Sequence, residues 1–276
     1  MLTEGVTGSR FKLGAWLVTE DRDTAFAGSR EVENPHRERT RIRVPLVTFD
    51  MRLSERFGVQ AAATVPDVTR TAAIGTSSFR ENFSGIGDTS VLGWYRLGPI
   101  RRWFPLLNFG VSLPTGKTET PRFSPELDNG SLVPMSRLQR GSGTFDPIFG
   151  ANVTRGVHPW TLFASVAARM PVYENEDGLR TGASAEINGG VARYTGSHRV
   201  TVFGRVGWLH RQQDVFRGTP VLVGGGNWLY VTPGVGVLVG KGINVQAEVK
   251  VPVYRSLANK QLDSPAIFQF GISRAF

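Results

Sequence analysis

From Ile243 to Tyr254 the chain alternates without a break. Ile243, Val245, Ala247, Val249, Val251 and Val253 share one parity, and Asn244, Gln246, Glu248, Lys250, Pro252 and Tyr254 share the other. A period of two with one apolar and one charged face belongs to a β-strand lying between two different media. The run matches the roughly 9–11 residues with which a tilted strand crosses a bilayer. No apolar stretch approaches the roughly 18–20 residues of a transmembrane helix, which excludes a helical membrane protein but leaves a β-barrel open.

The same alternation recurs along the chain. It predicts about twelve strands, near 10–20, 39–50, 56–68, 88–98, 101–114, 143–154, 159–172, 182–194, 198–210, 227–240, 243–254 and 264–276. Five links between them (LSER, GPI, GVH, TGS and KG) are short, whereas 21–38, 69–87, 115–142, 173–181, 211–226 and 255–263 are long. Strict short-long alternation over an even number of antiparallel strands is the pattern of an up-and-down transmembrane barrel. Its turns are short and periplasmic, its loops long and extracellular, and both termini periplasmic. A soluble sandwich would mix link lengths and add crossover connections. The expectation is one all-β barrel domain over residues 1–276, a usual length for a barrel. The expected location is the bacterial outer membrane.

Parity assigns the faces. Trp160, Leu162, Ala164, Val166, Ala168 and Met170 share one side of their strand, while Thr161, Ser165 and Arg169 share the other. The apolar sets carry no charge, as lipid contact requires, since Lys or Arg at mid-bilayer on that face costs roughly 2–4 kcal/mol. Trp103, Trp160 and Trp208 stand near strand ends, where an interfacial girdle would place them; an ordinary core would also accept them. The inward parity is assigned Lys12, Arg41, Arg43, Arg96, Arg169, Arg205 and Lys250 against Asp88, Asp146, Glu186 and Glu248. Charges cannot stay unpaired in a dry core, so this lumen is either watered or cross-linked by ion pairs. An open lumen with excess Arg favours anions. The alternative is a network that stiffens the barrel. Pro66, Pro114, Pro171 and Pro252 fall at the extracellular ends of four upward strands, and with Tyr173 and Tyr254 they are expected to line the outer mouth. Simple strand termination by proline is the plainer explanation of them. The long link 115–142 either folds over that mouth or is a mobile loop.

Composition removes several function classes. Cysteine is absent, so disulfides and thiolate chemistry drop out. The net charge of +9 is spread as single arginines, with no basic helix or arm, so anionic lipid headgroups, including lipopolysaccharide, are expected partners and nucleic acid is not. The start, MLTEGVTGS, has no basic region followed by an apolar segment; either a signal peptide lies outside this numbering or the chain stays in the cytoplasm. SLPTGKT resembles a phosphate loop, but Gly110 and Gly116 are one residue too far apart and no helix pattern follows. Neither H-E-x-x-H nor G-x-S-x-G occurs. His36, His158, His198 and His210 lack metal-ligand spacing and read as loop or strand-end residues. No enzyme activity, metal or cofactor is expected.

Four segments carry a resemblance: FSGIGDTSVLGWYRL (83–97), LNFGVSLPTGKTE (107–119), GSGTFDPIFGANVTR (141–155) and the final FGISRAF. In their order they resemble the outer-membrane family described as transporters of the meta-pathway of phenol degradation. That resemblance implies an outer-membrane barrel passing small, often aromatic or apolar, organic solutes. It also implies that Phe276 is read by the outer-membrane assembly machinery, although Arg274 stands where an aromatic or apolar residue is usual. A passive channel and a structural barrel that anchors or sheathes a larger envelope complex are the two functions that follow.

Overall fold

The computed structural model describes residues 9–74, 76–118, 139–195, 199–221, 224–240 and 242–276, and among them every regular element is a strand. The first nine are β1 (Phe11–Arg22), β2 (Thr24–Gly28), β3 (Arg30–Val32), β4 (Arg39–Arg52), β5 (Phe57–Thr64), β6 (Asp67–Ile74), β7 (Ser77–Ser84), β8 (Thr89–Arg96) and β9 (Phe104–Leu113). Ten more follow: β10 (Asp146–Val157), β11 (Trp160–Arg169), β12 (Leu179–Arg180), β13 (Ser184–Tyr194), β14 (Val200–Arg211), β15 (Val215–Phe216), β16 (Thr219–Pro220), β17 (Gly226–Leu238), β18 (Ile243–Asp263) and β19 (Ile267–Ala275). Twelve of these form a ring of antiparallel neighbours in the order β1, β4, β5, β8, β9, β10, β11, β13, β14, β17, β18, β19. It closes because β1 pairs with β4 on one side and β19 on the other. Closure leaves the ring itself without an edge strand, which is the condition for a sheet to sit in lipid.

Opposed residues in an antiparallel pair share a face, so the register carries parity around the ring. Lys12 faces Asp50, Gly14 faces Thr48, and Trp16 faces Leu46 and Gly271, all on the inside. Leu13, Leu17, Val47, Phe49, Leu107, Phe109, Phe149, Val166, Val206, Phe270 and Ile272 are exposed on the outside, forming a continuous apolar belt. Inside, large rings lie flat over glycines of the neighbouring strand. A Cβ on Gly271 would come within 2.0 Å of the Trp16 ring, and one on Gly58 within 2.2 Å of Trp94. Phe163 covers Gly190 and Phe203 covers Gly234 in the same way. Each missing side chain lets a ring hug the wall and keeps it out of the lumen axis.

Three long links differ from their sequence reading because they continue as strands beyond the belt. Residues 69–87, read as a loop, hold most of a hairpin: β6 extends β5 past the break at Val65 and Pro66, pairs with β4, and returns as β7. Residues 255–263 also remain strand, with the end of β18 pairing to β2, which pairs in turn to β3. A small sheet of β12, β15 and β16 ties two further loops together. Above the lipid, strands face water on the outside, so the apolar-out pattern that marks a membrane strand no longer applies.

The ring-on-glycine packing gives a matched pair of substitutions. Gly271→Ala drives a methyl into Trp16 and is expected to destabilise the folded barrel by about 1–3 kcal/mol, whereas Gly236→Ala, whose Cβ would have no neighbour closer than 3.6 Å, is expected to be near neutral. Urea titration of heat-modifiable gel migration reads both.

Candidate functional site

The segments before β8, after β9 and before β10 meet at one carboxylate. Asp88 accepts hydrogen bonds from the backbone N–H of Gly116 at 3.2 Å and of Ser142 at 2.8 Å, and from Ser142 Oγ at 2.9 Å. Arg169 of β11 reaches Asp88 at 3.4 Å and pairs more closely with Asp146. Asp146 is fully buried, and its other oxygen accepts from Thr144 Oγ1 at 2.5 Å. The glycines here allow backbone to meet backbone: a Cβ on Gly116 would stand 2.7 Å from Gly141 Cα. Asp88 thus pins both ends of the link 115–142 to the extracellular end of the barrel wall. Residues 119–138 of that link, and with them its expected place over the mouth, lie outside the described residues.

A second set of ion pairs bridges non-adjacent strands on one side of the inner wall. Arg205 of β14 donates to Glu248 of β18 at 2.8 Å, passing over β17. Lys250 of β18 donates to Glu186 of β13 at 2.9 Å, passing over both β17 and β14, and its ammonium sits 4.3 Å from the centroid of the Tyr230 ring. Both bonds skip strands, so they tie together the inner wall from β13 to β18, a quarter of the ring. On the periplasmic side of these pairs is a cavity of about 100 Å³ lined by Lys12, Trp16, Asp50, Trp94, Arg96 and Phe203 among others. Beyond it, toward the long loops, a second cavity of about 150 Å³ is lined by Glu20, Arg22, Trp228, Tyr230, Lys250 and Asp263 among others. Among the described residues the two share no lining side chain. In the upper chamber Asp263 accepts from Trp228 Nε1 at 3.0 Å and pairs with Arg255 at 3.3 Å.

Of the charged side chains assigned inward by sequence, Lys12, Arg96, Asp146, Arg169, Glu186, Arg205, Glu248 and Lys250 stand on the inner face, and Asp88 caps it. Arg41 and Arg43 do not. They oppose Asp21 and Thr19 on β1, on the parity of Val47 and Phe49, and are exposed on the outer surface. The sequence reading placed them inside because they are charged, yet they lie where β4 has left the lipid and outward charge is free of its cost. Tyr254 is also a correction. A bulge between Leu229 and Tyr230 gives β18 one extra residue, so Tyr254 opposes Leu229 and is exposed outside. Pro252 opposes Tyr230 in the middle of β18, not at its end. Pro66 interrupts a strand that continues, whereas Pro114 and Pro171 follow the last residues of β9 and β11. The Tyr173 hydroxyl accepts from the Phe145 backbone N–H at 2.8 Å, on the exposed flank of β10.

The sequence reading missed Asp50, Trp94, Trp228, Glu20, Arg22 and Asp263 as inner residues. Counting parity from the lipid-facing Phe49 would have found Asp50 and would have turned Arg43 outward. Among the histidines, His210 stacks on the exposed Trp208 with its Nδ1 2.9 Å from Asn227 Oδ1, His158 lies in the β10–β11 turn, and His198 is outside the described residues. Trp160 and Trp103, toward the short-turn end, lie under the guanidinium groups of Arg193 and Arg155 at 5.1 and 5.6 Å. Arg274 stacks over Phe276 at 4.7 Å.

The sequence matches no family model and no curated protein. In structure, the chain is similar to an outer membrane channel from Pseudomonas putida F1, with a TM-score of 0.74 at 12% identity, covering 98% of this chain and 97% of that one. It is also similar to the β domain of the Bordetella autotransporter BrkA, with a TM-score of 0.54 at 14% identity over 97% of this chain and 100% of that one. The translocator domain of autotransporter NalP from Neisseria meningitidis gives 0.53 at 11% identity, over 99% and 90%. The fold is that of bacterial outer-membrane β-barrels.

Both members of the Arg205–Glu248 pair are nearly buried, with side chains 11% and 5% exposed. Arg205→Ala leaves Glu248 without its cation and is expected to destabilise the barrel by about 3–5 kcal/mol. Arg205→Ala with Glu248→Ala should recover part of that loss, as urea unfolding of the two variants in detergent will show.

Proposed function

We propose that the chain is a passive channel of the bacterial outer membrane for small organic solutes. The observation that carries this reading is a closed twelve-strand ring, apolar outside, with cavities of mixed polar and aromatic lining on both sides of the strand-skipping ion pairs. The outer belt meets lipid hydrocarbon, the long-loop end faces the extracellular leaflet with its lipopolysaccharide, and the short turns face the periplasm. Phe276, in the last residues of the ring, serves as the signal for the assembly machinery.

The resemblance to the meta-pathway phenol transporters supports the choice of solute. Its segments at 83–97, 107–119 and 141–155 supply Asp88, Gly116, Ser142 and Asp146: Gly116 and Ser142 donate to Asp88, and the two carboxylates share Arg169. The periplasmic chamber offers the rings of Trp16, Trp94 and Phe203 beside amides and hydroxyls, a lining suited to small aromatic molecules. Among the described residues, Arg10, Lys12 and Arg96 line that chamber with one carboxylate, Asp50, which favours an anionic group on the solute. The strand-skipping ion pairs, which brace the inner wall, favour a second reading, a structural barrel that anchors a larger envelope complex.

Planar bilayers separate the two. The purified barrel is expected to give discrete openings, larger when Glu186→Gln and Lys250→Met remove the longer of these pairs. Absence of openings in both proteins, with no swelling of liposomes in small aromatic solutes, would favour the structural barrel. Lys12→Gln with Arg96→Gln is expected to shift the reversal potential toward cation preference under a salt gradient; an unchanged potential would place the selectivity elsewhere.

A further inference from the structure

The arginines that leave the lumen gather on the outside. On the outer face of β4, Arg43, Arg41 and Arg39 follow Pro45, Val47 and Phe49 at steps of two residues, about 7 Å apart. Beside them β6 presents Asp67 and Thr69, and β7, about 10 Å from β4, presents Arg80 and Asn82. Arg41, Arg43, Asp67, Thr69, Arg80 and Asn82 line one recess of about 200 Å³. Arg39 is engaged by Asp21, and Arg41 stands 3.7 Å from the same carboxylate. Arg43 and Arg80 form no ion pair among the described residues. Asp67, the anion inside the recess, is 3.0 Å from the Asn82 amide nitrogen once that amide is turned so that its donors face acceptors.

The recess opens directly above the apolar belt. On β4 the last apolar outward residue is Pro45 and on the neighbouring strand Val65; Arg43 and Asp67 come next on the same parity. This is the level at which lipid headgroups begin, on the long-loop side. Exposed guanidinium groups at that level, with a hydroxyl and an amide between them, match a phosphate held by forked, charge-assisted hydrogen bonds. We propose that this outer recess binds phosphate groups of lipopolysaccharide in the extracellular leaflet, with Arg41, Arg43 and Arg80 as the cationic contacts. The proposal rests on the membrane orientation given above, and it explains why charge on β4 points away from the lumen.

The test uses the full chain folded in detergent and titrated with diphosphoryl lipid A, with native mass spectrometry as the readout. Near an anionic surface each arginine contributes about fivefold, so R41Q/R43Q/R80Q is expected to bind on the order of 100-fold more weakly. Dephosphorylated lipid A should bind the wild type as weakly, and inorganic phosphate alone should not compete. Equal binding by the triple variant, equal binding of the dephosphorylated lipid, or full competition by inorganic phosphate would each overturn the proposal. Gel migration confirms folding; if the triple variant does not fold, Arg80→Gln on the exposed hairpin gives the same comparison with about a fivefold change. Bilayer conductance of the variant should equal wild type because these residues lie outside the lumen, so a barrel that never conducts would sink the channel reading without touching this one.

Discussion

In hydrocarbon an unpaired backbone N–H or C=O costs several kcal/mol, so a strand in lipid must be paired on both sides. The pairing of β1 with both β4 and β19 meets that demand for the twelve-strand ring. Once the ring is closed, a period of two has only one meaning at membrane depth: one parity meets lipid and the other meets the lumen. Inward rings then have to find room, and glycines at Gly58, Gly190, Gly234 and Gly271 provide it on the adjacent strand.

The lumen inherits the charges that lipid rejects. Charges drawn out of water are tolerable only when paired, which accounts for Arg169 between Asp88 and Asp146 and for the pairs Arg205–Glu248 and Lys250–Glu186. These pairs do different jobs. The Asp88 cluster holds loop ends to the rim, and the glycines of its three segments are needed because the backbones approach too closely for a side chain. The strand-skipping pairs brace the β13–β18 side of the inner wall between the two cavities.

Much of this was legible in the sequence, because lipid enforces alternation with a large free-energy penalty. The ring of twelve, the short turns, and the inward facing of Arg169, Glu186, Arg205, Glu248 and Lys250 all follow from it. What failed, failed where the penalty is absent. Arg41 and Arg43 sit beyond the belt, where outward charge meets water, and the rule that charge points inward no longer holds. The hairpin of β6 and β7 and the extension of β18 against β2 have the same origin, since strands outside the membrane lose the apolar-out signature. Tyr254 shows a different limit. A single bulge inverts every face beyond it, and nothing local in VKVPVY fixes whether the extra residue is present.

The central claim is the facing of β4, since it fixes the barrel, the lumen and the outer arginines together. Because the chain has no cysteine, single cysteines can be spin-labelled at each position of this strand in the folded, membrane-inserted protein. Power-saturation measurements with oxygen and a water-soluble nickel chelate should alternate with a period of two. Labels at 45, 47 and 49 should favour oxygen, while those at 41 and 43 keep the same facing but change to the nickel reagent. A scan without that period, or one in which 44, 46 and 48 reach lipid oxygen instead, would contradict the account.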